Sequence, residues 1–346
     1  MWTEKIGKRQ QDRTGDTAMK QQETIGADAC IHCHLCRDRC EFLRKYNIDI
    51  GDTERLRELA YSCFLCGKCS EICPLGIDGR KIVLDMRRER VEQQGGKLRE
   101  KGTGLLLFEK KRYLFKNYRN QTEGSVLFPG CNFPSFYPQT TKYLAGLLRR
   151  EAGMGTVFDC CGKPLAELGL VAEEERILRE LDTRFRDSKI QEIVTLCPNC
   201  FHFLKGRLHV KVTGIYEKLR ELGLGRQIEE ELSVFLPCPD RADRELLRQI
   251  SHFLDKPPAS CGQGQCCGLG GGASGREREL SDRMAGKLGE GKHLAVYCAS
   301  CAGSLIRKGY GDTEHILVKI LGTGERADTA HSLANRMKFK YWKEDV

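Results

Sequence analysis

At 346 residues the chain is too long for one ordinary core and fits two or three domains. Hydrophobic residues at 40% and charged residues at 30% give a soluble globular composition, and no apolar run approaches the roughly 18 residues of a spanning helix. The formal net charge of +9 is mostly one local patch, six Lys/Arg against one Glu in residues 101–120, and without a helix-turn-helix or aromatic stacking pattern it excludes nucleic acid as the partner.

Residues 1–26 are polar, of mixed charge and without periodicity or an apolar leader core, so a loosely ordered arm and a cytoplasmic protein are expected. Nineteen cysteines in a reducing compartment favour metal over disulfides, as does their odd number.

Cysteine density starts at Cys30. Cys30, Cys33, Cys36 and Cys40 form Cys-x2-Cys-x2-Cys-x3-Cys, and Cys63, Cys66, Cys69 and Cys73, followed by Pro74, repeat it. In such pairs a tight loop supplies three thiolates to a 4Fe-4S cubane and a distant segment supplies the fourth. Cys30, Cys33, Cys36 and Cys73 are therefore assigned to one cubane, and Cys63, Cys66, Cys69 and Cys40 to the other. His32 and His34 inside the first loop read as polar residues tuning the cluster. Between the motifs, Asp52 and Thr53 precede Glu54, Arg55, Leu56, Leu59 and Ala60, a capped helix pattern, and Asp78 to Glu92 reads as a surface helix. A helical ferredoxin domain over 27–95 follows.

A basic linker and helix occupies 96–122. Leu105 to Lys116 has two readings: a helix packing its Leu/Phe side on the protein with Lys/Arg in water, or a peripheral membrane or partner contact.

Beyond Gly124 short β-rich runs each end at a cysteine: Val126–Phe128, Thr156–Phe158, Ile193–Leu196, Val234–Leu236 and Leu294–Tyr297. Helical stretches such as Thr141 to Arg150 and Glu173 to Arg186 lie between several of them, an α/β pattern. One order of features occurs twice: a Cys, a Cys-Cys-Gly, then a Cys-x2-Cys, at 131, 160/161 and 197/200 and again at 238, 266/267 and 298/301. This is an internal duplication. The expected units are 123–227 and 228–320, with a tail over 321–346. The fold class is α+β multidomain: a helical two-cluster ferredoxin followed by a duplicated α/β domain. Adjacent cysteines do not reach separate corners of a cubane in the usual loop, so a five-cysteine set suits a larger or irregular cluster. Cys261 lies outside both sets and reads as a plain unliganded cysteine, an alternative ligand or a reactive thiol, while Lys163 and His202, beside proposed ligands, read as surface residues or as sources of protons or positive charge near a thiolate product.

The runs Leu127–Cys131, Asp159–Pro164, Leu196–Cys200, Cys266–Gly271 and Cys298–Cys301 resemble the CCG modules of the heterodisulfide reductase catalytic subunit. Joined behind a ferredoxin domain, they resemble the D-type form of that enzyme, in which the ferredoxin and CCG parts are fused in one polypeptide. Related proteins include subunits of glycerol-3-phosphate and lactate dehydrogenase systems and thiol:fumarate reductases. The resemblance implies a noncubane 4Fe-4S cluster on Cys131, Cys160, Cys161, Cys197 and Cys200, and a second on Cys238, Cys266, Cys267, Cys298 and Cys301. Cys160, Cys161, Cys266 and Cys267 would then act catalytically through the bound clusters. Pro239 departs from the pattern, which commonly has a His after this cysteine. The function implied is an iron-sulfur oxidoreductase subunit that passes electrons through two cubanes to the CCG clusters, where a disulfide is reduced or formed. The alternative is a relay between a flavoprotein dehydrogenase and a quinone or other carrier. No flavin or nicotinamide fingerprint is present, so a flavin-containing or bifurcating partner subunit, a membrane cytochrome, or both are implied.

Overall fold

The computed structural model describes residues 25–261, 264–286, 288 and 293–344. Residues 1–24 of the expected arm and 345–346 of the expected tail lie outside them.

Helices alone build the first region through Gln93: Leu35–Arg39, Glu41–Tyr46, Thr53–Glu58, Lys68–Ile72 and Gly79–Gln93. Asp52 precedes its helix as expected, yet its carboxylate accepts from the Asp49 amide at 2.7 Å and makes no cap bond to the helix. Asp78 does cap the last helix, accepting from the Lys81 amide at 3.1 Å. That helix buries Val83, Met86, Arg87 and Val91 on one stripe, so it is only half a surface helix.

The rest forms two sheets of matching topology. In the first, β1 (Asn117–Asn120), β2 (Gly124–Phe128), β3 (Gly155–Phe158), β4 (Ile190–Thr195) and β5 (Lys211–Gly214) lie in the order β1-β3-β2-β4-β5. Only β1 runs antiparallel to its neighbour. In the second, β6 (Ser233–Phe235), β7 (Ala259–Ser260), β8 (Leu294–Val296) and β9 (Thr313–His315) are all parallel in the order β7-β6-β8-β9. Apart from β1 the two orders are the same, so the duplicated sequence folds as a duplicated structure. In both, the strands flanking the central one leave it in opposite directions, and the crevice beyond their carboxyl ends is where ligands bind in open α/β sheets. The cysteine motifs sit at those ends.

The ferredoxin region packs on the second repeat, not on its sequence neighbour alone. Phe42, Leu43, Ile50 and Phe64 share a core with Cys266, Leu280 and Met284. Lys45 pairs with the buried Glu277 at 2.5 Å, and Tyr46 donates to the same carboxylate. Arg87, fully buried, fastens all three units: it donates to the carbonyls of Ala60 and Cys63 in the ferredoxin, Glu167 in the first repeat and Gly271 in the second, at 2.7–3.0 Å. The stretch read as a linker supplies β1, and the stretch read as a tail carries helix Ser332–Tyr341, which returns to the first sheet. There Phe339 stacks on Phe158 with ring centres 4.8 Å apart, and Asn117 donates to the carbonyls of Phe339 and Trp342 at 2.7 Å. Among the described residues no helix is long and apolar enough to cross a membrane.

Candidate metal centres

The nineteen cysteines are all free, and all but Cys261 gather into four groups. The first holds Cys30, Cys33, Cys36 and Cys73, with Cys30 within electrostatic reach of the other three. Cys33 is exposed, so this group opens to solvent. The second holds Cys40, Cys63, Cys66 and Cys69, whose sulfurs line a hollow of about 20 Å³ beside Gln265. The fourth cysteine of each motif thus lies with the other motif's loop.

Both loops bend in the same way. His32 (φ 49°) and Leu65 (φ 51°) occupy equivalent left-handed positions, as do His34 (φ 61°) and Gly67 (φ 73°). Each first bend turns an amide onto a sulfur: His32 to Cys30 and Leu65 to Cys63, both at 3.4 Å. Left-handed φ is costly for His and Leu, so the bend is held by its surroundings. In the first loop the holder is Asp49, buried, which accepts from Gly51 at 2.8 Å and meets the Nδ1 atoms of His32 and His34 at 3.0 Å each. The histidines face a carboxylate, which is the polar loop role expected of them. Cys30, His32 and Asp49 also bring ligand atoms within 4.8 Å of one another, a set that suits a single ion, but the four-thiolate group beside it is the larger donor set.

In the first repeat Cys131 contacts Cys160, Cys160 contacts Cys161, Cys161 contacts Cys200, and Cys200 contacts Cys197. The second repeats the series: Cys238 to Cys266 at 3.7 Å, then Cys267, Cys301 and Cys298. The repeats face each other, for the sulfurs of Cys197 and Cys298 are in hydrogen-bonding contact, and the Asn199 amide stands 3.7 Å from both. A second contact, Cys66 to Cys266, joins the inner ferredoxin group to the second repeat. The Cys30 group is tied to the Cys63 group through the exchanged Cys40 and Cys73, the Cys63 group touches the second repeat, and the second repeat touches the first. Spatial order departs from sequence order.

Between the repeats lies a cavity of about 430 Å³, lined by Cys131, Cys161, Cys197 and Cys200 from one side and Cys238, Cys267, Cys298 and Cys301 from the other. Lys110, Lys163 and Arg336 also reach it. Lys163 pairs with Glu167, and His202 meets the buried Asp240 at 2.8 Å. Lys110 corrects the reading of residues 105–116: it is buried, while Leu105 and Phe108 point outward at 87% and 72% exposure. Burial opposes its charge, but the sulfurs of Cys131 and Cys160 more than compensate and hold the ammonium above its ordinary pKa. The helix Gly104–Lys111 turns one cation inward beside the sulfurs, packs Leu106 and Leu107 against the core as one of the two readings expects, and leaves Leu105 and Phe108 outward.

Two observations test whether clusters fit. A Cβ added at Gly79 would meet Cys69 Sγ at 2.7 Å, and one at Gly130 would meet Cys200 Sγ at 2.9 Å, so these glycines clear backbone away from sulfur. Beneath the Cys197–Cys298 contact, His315 Nε2, Tyr137 Oη and Tyr216 Oη are buried without a hydrogen-bond partner among the described residues. The Leu317 amide donates to His315 Nδ1 at 3.2 Å, which leaves the hydrogen on Nε2. Cys298 lies within electrostatic reach of both tyrosines, and Cys197 of His315. Unpaired buried donors beside thiolates suit a group rich in sulfur acceptors.

Sequence comparisons agree with this geometry. Residues 29–78 match the 4Fe-4S dicluster domain family. Residues 125–205 and 233–306 each match the cysteine-rich domain family termed CCG. The chain is an iron-sulfur protein with a dicluster ferredoxin domain and two CCG domains. One of the subunits of fumarate reductase (CoM/CoB) from Methanothermobacter marburgensis is 25% identical over 380 residues, covering 90% of this chain and 74% of the relative. Uncharacterized iron-sulfur proteins of Methanococcus maripaludis and Methanocaldococcus jannaschii are 23% and 25% identical, covering 79% and 70% of this chain. The iron-sulfur protein spans 66% and 54% of the lengths of those two. No solved structure matches it. Its domains are those of an iron-sulfur electron-transfer protein.

Sequence reasoning missed the residues that hold the centres: Asp49, Arg87, Asn199, Arg241, Gln265 and His315. A signal existed for Arg87, which stands four residues from both Val83 and Val91 on the apolar stripe. Asp49, Asn199, Arg241 and Gln265 sit in loops or at helix ends, and His315 ends the three-residue edge strand β9, where periodicity carries no information.

Proposed function

We propose that this protein carries electrons from a cubane on Cys30, Cys33, Cys36 and Cys73, through one on Cys63, Cys66, Cys69 and Cys40, to two noncubane clusters on the five-cysteine CCG sets. There a disulfide is reduced, or formed in the reverse direction. The observation that carries this reading is the cavity that both five-cysteine sets face, closed at one point by the Cys197–Cys298 contact. When bound, the clusters would supply single electrons and iron sites for sulfur. The chain's own residues do the rest. Asn199 and Ser300 present polar groups to a bound disulfide from opposite repeats, and Asn132 fixes Ser300 by donating to its hydroxyl at 2.6 Å. Lys110 places positive charge beside the first repeat's sulfurs, which favours the more negative, reduced state. The exposed Cys33 end is where a flavin-containing or bifurcating partner would deliver or collect charge.

The second reading is a relay between a flavoprotein dehydrogenase and a quinone or membrane cytochrome. The observation favouring it is the outward pair Leu105 and Phe108 beside Lys111 and Arg112, a surface suited to peripheral membrane or partner attachment.

Metal content tests the proposal. Protein prepared anaerobically is expected to hold about sixteen irons per chain, four for each four-iron cluster, and no zinc. About eight irons with zinc would confine clusters to the ferredoxin and remove the disulfide chemistry.

A further inference from the structure

The geometry points to Gln265 as the positioning residue that couples the inner ferredoxin site to the second CCG site and sets the potential at which electrons pass between them. This rests on the reading that Cys40, Cys63, Cys66 and Cys69 hold a cubane.

Gln265 is 4% exposed, and every polar atom of it is used. Its Nε2 donates to Cys40 Sγ at 3.2 Å and to Cys66 Sγ at 3.4 Å. Its Oε1 accepts from the Glu41 amide at 2.7 Å, which fixes the amide's orientation, since the flipped form would set two donors face to face. The main chain is pinned as well: its amide donates to the Met284 carbonyl at 3.2 Å, and its carbonyl accepts from Arg241 at 2.7 Å. Arg241 continues to Glu71 in the ferredoxin at 2.9 Å, and the thiolates of Cys238 and Cys66 hold it charged against the cost of burial. The next residue, Cys266, belongs to the second CCG set and contacts Cys66. One residue of the CCG domain therefore donates two hydrogen bonds into the ferredoxin's ligand shell while its covalent neighbour belongs to the next site.

Donors to cluster thiolates favour the reduced, more negative state and raise the potential. Gln265 thereby makes reduction of the inner site depend on docking against the CCG domain, so that this site accepts an electron most readily where it can pass the electron on. The step moves one electron and breaks no bond.

The test is a redox titration of the full chain followed by electron paramagnetic resonance, comparing the native protein with Gln265→Leu and Gln265→Glu. The leucine variant loses both donors. The glutamate variant keeps the acceptor for Glu41 and sets lone pairs against the sulfurs, and it serves as the second variant where leucine leaves the site unloaded. The reduced-to-oxidised ratio of the inner site at fixed potential is expected to fall about tenfold in Gln265→Leu, equivalent to 59 mV for one electron, and further in Gln265→Glu. The Cys30 site is expected to stay unchanged in both. An inner cubane present in all three proteins at an unchanged potential overturns the role of Gln265 alone. Absence of that cubane from the native protein overturns the underlying reading of the site as well.

Discussion

Replacing Arg87 with methionine is expected to lower the stability of the folded protein by at least about 3 kcal/mol, because the carbonyls of Cys63, Glu167 and Gly271 lose their donor, that of Ala60 keeps only the Cys63 amide at 3.4 Å, and each unsatisfied group costs about 1–3 kcal/mol. Those carbonyls belong to three separate units, and the guanidinium also lies 4.8 Å from the Tyr61 ring centre. Arg87→Lys keeps the charge but has no planar fork to serve both sides, so it should recover only part of the loss. Urea unfolding of anaerobically prepared protein measures this, with Arg55→Met, on an exposed pair with Glu58, as a control expected to change by under about 0.5 kcal/mol. A loss below about 1 kcal/mol for Arg87→Met would show that the three units are held by their apolar contacts alone.

Cys73→Ser is expected to remove the outer cubane and spare the inner one, although Cys73 follows the inner loop in sequence. Cys30 has Cys73 within electrostatic reach, whereas the sulfur neighbours of Cys69 are Cys40, Cys63 and Cys66. The two sites are distinguishable in solution because Cys33 is exposed, whereas Cys40 and Cys66 are buried. A soluble paramagnetic relaxer should sharply affect the outer site's resonance and hardly touch the inner one. The variant should lose about four irons and the relaxer-sensitive signal. Loss of the relaxer-insensitive signal would reverse the ligand assignment.

The cysteine pattern was legible because cluster chemistry fixes spacing: both ferredoxin loops and both CCG series can be read directly from residue order. The helical character of the ferredoxin and the interior strands β2, β3, β4, β6 and β8 were legible too, since strands buried on both faces must be continuous apolar runs. The strands left unread, β1, β5, β7 and β9, are the sheet edges in both repeats. Asn-Tyr-Arg-Asn in β1 and Thr-Glu-His in β9 carry no apolar run because their buried positions are polar: Asn117 and Asn120 bond to the carbonyls of the C-terminal segment that covers β1, and His315 is turned into the site. Lys110 was read outward for a related reason: a helix's apolar residues ordinarily mark its buried face, and here the sulfurs of Cys131 and Cys160 pull a cation inward. The spatial order of the four groups was beyond local reading altogether. It depends on pairs such as Gln265 with Cys40 and Glu277 with Lys45, more than 200 residues apart in the chain.

Disulfide chemistry at the paired CCG sites is the central claim, and electron paramagnetic resonance of the oxidised protein mixed with small thiols, neutral and anionic, addresses it most directly. A thiol that enters the cavity between Cys161 and Cys267 should produce a new paramagnetic signal. Cys161→Ser and Cys267→Ser should each abolish it while both ferredoxin cubanes remain reducible. If no thiol produces a signal, and both variants still pass electrons to an acceptor at the native rate, the CCG pair does not act on a disulfide and the relay reading takes its place.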